Sequence, residues 1–121
     1  MWMVHAGEHG RLFDDFKNNK IVAIGWHELG DLSNVRDADQ IREMVDQKYA
    51  GQSTGWKAMA ASQVSRFRFD FKEDDYVLTY DPEKRVYIVG VIKGPYHYDS
   101  TRKEYCNTRK VVGGRIFICS S

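Results

Sequence analysis

The sequence predicts a single α+β domain: a curved, mostly antiparallel sheet or open barrel with helices packed outside it. Three observations lead there. The first half alternates short apolar runs with stretches of helical period. From Asp74 onward the period becomes that of strands joined by turns. A chain of 121 residues with 42% apolar and 13% aromatic side chains has the means for one core.

Taken in order, Trp2 to His5 is apolar enough for a first strand, and Ala6-Gly-Glu-His-Gly10 breaks it. Gly7 and Gly10 flank Glu8 and His9 in a tight loop, a strand-to-helix turn that could also bring backbone N–H groups up to a ligand. Leu12, Phe13 and Phe16 share one face of a short helix, which Asn18-Asn19 closes. Ile21 to Ile24 is too short for a helix and reads as a buried strand; Gly25 permits close approach, and Trp26 stands where the strand leaves the core. Asp31-Leu-Ser-Asn is turn chemistry.

Asp37 and Gln40 have capping-box-like spacing, and Ile41, Met44, Val45 and Tyr49 recur at helical intervals, so a helix is expected from about Ala38 to Tyr49. Thr54 is expected to cap a longer helix. Its apolar stripe is Trp56, Met59, Ala60, Gln63, Val64, Phe67 and Phe71, interrupted only at Gln63, with Lys57, Ser65, Arg68 and Lys72 on the solvated face. Tyr76 to Tyr80 and Arg85 to Ile92, joined by Asp81-Pro-Glu-Lys, form a β-hairpin. Gly94-Pro95 predicts a break, Tyr96 to Tyr98 a strand edge, and Thr108 to Val112 its antiparallel return. Gly113 to Cys119 is apolar enough for a last strand without a defined place.

Eighteen basic and seventeen acidic residues give a net charge of +1, which excludes a polycation but permits a local basic patch. No run is long enough to span a bilayer, and the start lacks the features of a signal peptide. Cys106 and Cys119 have neither metal-ligand spacing nor a disulfide framework. The expectation is a soluble, cytoplasmic domain without cofactor or metal.

Catalytic patterns are weak. His5, His9, His27 and His97 belong to no nucleophile–base–orienter set. Glu73-Asp74-Asp75 is an ordinary acidic turn, and His27-Glu28 lacks the second histidine of a zinc-protease helix. A binding domain, not an enzyme, is expected. Trp26, Trp56, Tyr80, Tyr96 and Tyr98 supply many aromatic planes, while Arg66 and Arg68, and Arg102, Lys103, Arg109 and Lys110, form two basic clusters. Such clusters are either solvated faces or tracks for phosphates beside walls on which a base stacks. Trp26 has the same two readings, core filling or ligand wall.

Four blocks then carry a family resemblance: Trp2-Met-Val-His-Ala-Gly; Val22-Ala-Ile-Gly-Trp-x3-Gly-Asp-Leu-Ser; Asp75-Tyr-Val-Leu-Thr-Tyr-Asp-Pro; and Tyr87-x-Val-Gly-x-Ile-x-Gly-x-Tyr-x-Tyr. In order and spacing, from Trp2 to about Val111, the chain resembles the N-terminal domain of Mrr-type restriction endonucleases, of the EVE/YTH group in the PUA-like superfamily. The resemblance implies a PUA-like pseudo-barrel that reads a modified, flipped-out base, such as a methylated one, in DNA as the specificity module of a restriction system. RNA is the alternative nucleic acid, and a nucleotide or nucleoside sensor governing an attached effector is the alternative function. By position Trp26 corresponds to a cage wall; Asp31 and Ser33 lie where the base edge is contacted, Gly7 to Gly10 (with His9) where a loop closes on the ligand, and Tyr80 is a further cage candidate. The chain departs from the family at Val112-Gly-Gly-Arg115, where an acidic residue and a tryptophan are usual. An effector nuclease domain, if any, is expected outside this chain.

Overall fold

The strand-forming runs pair into one five-stranded sheet in the structure, a computed structural model in which residues 1–118 are described. β1 (Trp2–Met3), β2 (Ile21–Ile24), β3 (Tyr76–Asp81), β4 (Val86–Tyr98) and β5 (Asn107–Ile118) lie in the order β1-β3-β4-β5-β2. Only β1 and β3 are parallel; the other pairings are antiparallel. The domain is therefore α+β with a mostly antiparallel open sheet, and both sheet edges come from the first 24 residues. Cys119 lies outside the described residues.

β2 is an edge strand with a central strand's sequence. Val22, Ala23 and Ile24 are all buried, because helices and loops cover both faces. β3 instead alternates, with Val77, Thr79 and Asp81 inside and Tyr76, Leu78 and Tyr80 outside. The expected break at Gly94-Pro95 is a bulge. Register passes from Ile92–Val111 to Tyr96–Arg109, so three residues of β4 oppose one of β5. Proline is tolerated there because a bulge needs no N–H from it, and a side chain on Gly94 would meet the Lys110 Cβ at 3.0 Å. At a second bulge, Gly113 and Gly114 oppose Gly90, with Gly113 at φ 67°. The unplaced terminal segment is thus, up to Ile118, the continuation of β5 beside the start of β4.

α1 (Phe13–Asn19) buries Phe13 and Phe16, and its end is set by left-handed Lys20, whose N–H bonds the Phe16 carbonyl. α2 (Ala38–Lys48) follows the expected cap, the Asp37 carboxylate accepting from the Gln40 N–H at 2.9 Å. α3 (Thr54–Ser65) is capped by Ser53, not Thr54: the Ser53 hydroxyl accepts from the Trp56 N–H at 3.1 Å. Its buried residues are Ala60, Ala61 and Val64, whereas Met59 is 42% exposed, contrary to the predicted stripe. The inner face turns because α3 widens into a π turn over Arg66–Asp70, closed by the Phe71 N–H on the Arg66 carbonyl. The wider turn returns Phe67 and Phe71 to the core, their ring centroids 5.2 Å apart.

Arg109 ties these parts together. Expected on a basic face, it is 4% exposed. Nε donates to the Gly94 carbonyl at 2.9 Å, and one terminal nitrogen donates to the Phe71 and Phe67 carbonyls at 2.8 and 3.3 Å. Burial pulls its pKa below the usual arginine value. The guanidinium stays charged, since arginine does not lose its proton in proteins. Arg109→Met should lower stability by about 2–4 kcal/mol, because three buried carbonyls lose their donors. Arg109→Lys should recover only part of it, since a point ammonium cannot span the fork. Urea unfolding checks both; equal stability of Arg109→Met and wild type would contradict the assignment.

Candidate functional site

Of the twelve residues the sequence nominates, the structure brings two to one cavity, Trp26 and Arg66. The cavity holds about 480 Å³ and lies between the two sheet edges. Met3, Val4 and His5 line it from β1 and the residues after it, Ile24, Gly25 and Trp26 from the end of β2, and Gln63, Arg66, Phe67 and Phe71 from the α3 end and π turn. Tyr105, from the loop between β4 and β5, completes it. Phe67 and Phe71 are buried, Trp26 and Tyr105 half-buried, and His5, Gln63 and Arg66 exposed. The site therefore has an apolar base, two aromatic walls and three polar groups at the rim.

The local geometry of the walls is unusual. Trp26 adopts φ 54°, ψ 48°, and Tyr105 adopts φ 53°, both left-handed. For side chains of this size that conformation costs about 1–2 kcal/mol each. Trp26 is held as the cap of a short 3₁₀ turn (His27–Leu29), its carbonyl accepting from the Leu29 N–H at 3.0 Å. Gly25 makes the pairing of walls possible, because a Cβ there would stand 3.3 Å from the Tyr105 ring. The sequence suggests Gly25 as a point of close backbone approach; what approaches is an aromatic ring.

Tyr105 is held by its own loop. The Arg102 Nε donates to the Tyr105 carbonyl at 2.9 Å, and the same guanidinium grips Asp15 of α1 in two hydrogen bonds of 2.6 and 3.2 Å. Arg11 binds Glu104 through both terminal nitrogens and lies 5.9 Å from the Tyr105 ring centroid. Arg102 is thus a clasp rather than a free phosphate contact, with a side chain only 13% exposed. The hydrogen bonds from Arg102 hold the Asp15 carboxyl below the usual aspartate range.

The remaining nominated residues lie elsewhere. Asp31 and Ser33 engage each other, the carboxylate accepting from the Ser33 hydroxyl at 2.5 Å and from the Ser33 N–H at 2.9 Å, and these bonds lower the Asp31 pKa. Their loop is clamped by Arg68, which donates to the Leu32 and Ser33 carbonyls at 3.0 and 3.2 Å and lies over Tyr96 at 5.0 Å. Arg68 therefore does not sit on a merely solvated face. The Leu32 N–H donates to the Tyr96 hydroxyl, which donates in turn to Asn107, and desolvation raises the Tyr96 pKa to about 12. Gly7 precedes and caps, and His9 lies within, a 3₁₀ turn (Glu8–Gly10) packed on the end of β3, where a side chain on Gly10 would meet Pro82 at 2.9 Å. Tyr80 faces outward from β3 opposite Tyr87 in register. Lys103 and Lys110 are exposed and do not line the cavity.

Sequence reasoning missed Tyr105, His5 and Gln63. Gln63 had a visible signal as the one polar break in an apolar stripe. Tyr105 sits in the charged run Arg102-Lys-Glu-Tyr105, and only strand pairing brings that run beside β2.

Over residues 2–112 the chain matches the model of a family described as a domain of unknown function, DUF8426. The chain belongs to that family. No curated protein and no solved structure matches it. The cavity of this DUF8426 domain falls within the matched span, Tyr105 included. Among the described residues there is no group of three or more histidine, cysteine or carboxylate side chains placed to hold a metal, and no helix long and apolar enough to cross a membrane.

Two outcomes are expected. Trp26→Gly should be more stable than Trp26→Ala by about 1 kcal/mol in urea unfolding, because glycine adopts the left-handed conformation without penalty; equal stabilities would remove the strain. The second concerns pH. The Asp15 pKa is lowered on folding, so its contribution is full above the unfolded aspartate value and disappears as pH falls through the folded one. The stability gap between wild type and Asp15→Asn should hold from pH 7 to about pH 5 and then close with acidification. A gap independent of pH would show that Arg102 does not sense the Asp15 charge.

Proposed function

We propose that this chain is a nucleic-acid-binding specificity module that takes a modified, flipped-out base into the cavity between Trp26 and Tyr105. The observation that carries the reading is the convergence of two left-handed aromatic residues, from different loops, on one cavity. At about 480 Å³ the cavity is within the range of small-molecule sites and has room for a base. Half-buried rings suit a planar ligand, with stacking contributing ~1–3 kcal/mol per base. His5 and Gln63 supply hydrogen-bonding groups for a base edge, and Arg66 supplies a cation at the rim, in no ion pair among the described residues.

The resemblance to EVE/YTH domains supports the same reading through Trp26, as does the placement of the cavity in the seam of an open sheet. On this view the fold is a PUA-like pseudo-barrel whose unclosed seam between β1 and β2 is the base-binding slot. The module binds rather than catalyses, and an effector such as a nuclease would act on its recognition as part of a restriction system. The base-edge role expected of Asp31 and Ser33 passes in this proposal to His5 and Gln63. A nucleoside sensor is the second reading, favoured by a cavity large enough for more than the base alone.

The test is a binding panel of methylated, hydroxymethylated and unmodified duplexes, with the matching free nucleosides, at two salt concentrations. One modified duplex should bind at least tenfold tighter than its unmodified counterpart, more weakly at higher salt as phosphate contacts require. Trp26→Ala and Tyr105→Ala should each remove that preference while the folded spectrum persists. Equal binding of all duplexes by the folded wild type would reject base reading. Tight nucleoside binding with no gain from a duplex would favour the sensor.

A further inference from the structure

A second cavity, of about 120 Å³, lies inside the sheet and shares no lining residue with the Trp26 cavity. Its walls are Phe16 of α1, Val22 of β2, Val77 of β3, Ile88 of β4 and Val111 of β5. Three glycines, Gly90, Gly113 and Gly114, border it where the second bulge brings β4 and β5 together. At two of them no side chain fits easily: a Cβ on Gly90 would stand 3.3 Å from the Val112 carbonyl, and one on Gly114 would stand 3.3 Å from Ile88. The space is therefore a consequence of the sequence at the bulge, which leaves the sheet without side chains where larger residues would fill it.

Two polar features mark the cavity. Thr79, 4% exposed, lines it, and its hydroxyl has no hydrogen-bond partner among the described residues. A buried hydroxyl left this way keeps both its donor and its acceptor capacity for a guest. Lys17 and Lys20 lie at the exposed mouth, and neither joins an ion pair among the described residues. Lys17 lies in the last turn of α1 and Lys20 caps it, and two full positive charges outweigh the roughly half negative charge of the helix end. The volume approaches that of apolar protein cavities known to admit a benzene-sized guest, about 150 Å³.

We propose that this cavity binds a small apolar carboxylic acid with about one ring or a short branched chain. The apolar body fills the space among Val22, Val77, Ile88 and Val111, and the carboxylate stays at the mouth with Lys17 and Lys20. A hydroxyl on the far end of the body meets Thr79. The site is independent of base reading, because Trp26 and Tyr105 take no part in it.

The test is an amide chemical-shift titration of the full chain with benzoate, 4-hydroxybenzoate and toluene. Both acids should give saturable shifts at Thr79, Gly90 and Val111, and 4-hydroxybenzoate should bind about fivefold tighter, as one neutral hydrogen bond allows. Thr79→Val should remove that advantage and leave benzoate unchanged, whereas Thr79→Ser should keep it. The double variant K17Q/K20Q, at exposed positions, should weaken benzoate about fivefold and leave toluene unaffected. No saturable shift at the three amides would overturn the proposal. So would benzoate affinity indifferent to the double variant, or a 4-hydroxybenzoate advantage that survives Thr79→Val. Trp26→Ala should not alter benzoate binding; a loss there would deny that the two cavities are separate.

Discussion

A buried guanidinium holds the parts of this domain in register. Arg109 sits where the β4 bulge, β5 and the π turn after α3 meet, and gives its donors to the Gly94, Phe71 and Phe67 carbonyls there. A bulge drops backbone groups out of the ladder, and the last carbonyls of a helix end lack intrahelical partners. One cation therefore supports two departures from regular structure at once. Phe67 and Phe71, whose carbonyls it binds, also form the apolar base of the Trp26 cavity. The geometry of the cavity thus rests on a charge that never reaches solvent.

Around that anchor, the site is assembled from pieces far apart in sequence. Arg102 and Arg11 fix the loop carrying Tyr105 against α1 and the turn before it, and Trp26 is fixed by a single 3₁₀ turn. Both rings are held by their neighbours in a backbone conformation that bulky side chains avoid. Three of the six basic residues that suggest a phosphate track are occupied in this assembly: Arg68 clamps the Asp31–Ser33 loop, Arg102 holds Tyr105, and Arg109 lies in the core. Counting arginines overstates the free positive surface, because a guanidinium with five donors serves equally to tie carbonyls together.

The elements were largely legible in the sequence, and their relations were not. β2, α2 and the β3–β4 hairpin follow from local pattern: four apolar residues ended by a glycine, an aspartate cap three residues before Gln40, and strands flanking a proline turn. The π turn was invisible, since Phe67 and Phe71 fit a continuous helix by spacing alone. Gly94-Pro95 resembles a break because the same dipeptide serves a loop and a bulge; the pairing of Tyr96 with Arg109 decides between them. Of the cavity lining, Trp26 was nominated by its strand-exit position together with the family resemblance, and Arg66 by its basic cluster. Tyr105 was not, because an aromatic residue in a charged loop gains meaning only when β4 and β5 bring that loop beside Gly25.

The order of the strands has a consequence for how the chain reaches this form. The long β4–β5 ribbon joins residues close in sequence, while the two edges wait for distant partners: Trp2 pairs with Val77, and Ile21 with Lys110. Closing loops of that length is entropically slow, so the edges are expected to join a ribbon that has already formed. The slot between β1 and β2 is then the last region to take shape and the one with the least pairing to hold it. In the folded protein, β1 keeps only two residues of ladder at that margin. Opening of that margin breaks few backbone pairings and leaves the rest of the sheet intact.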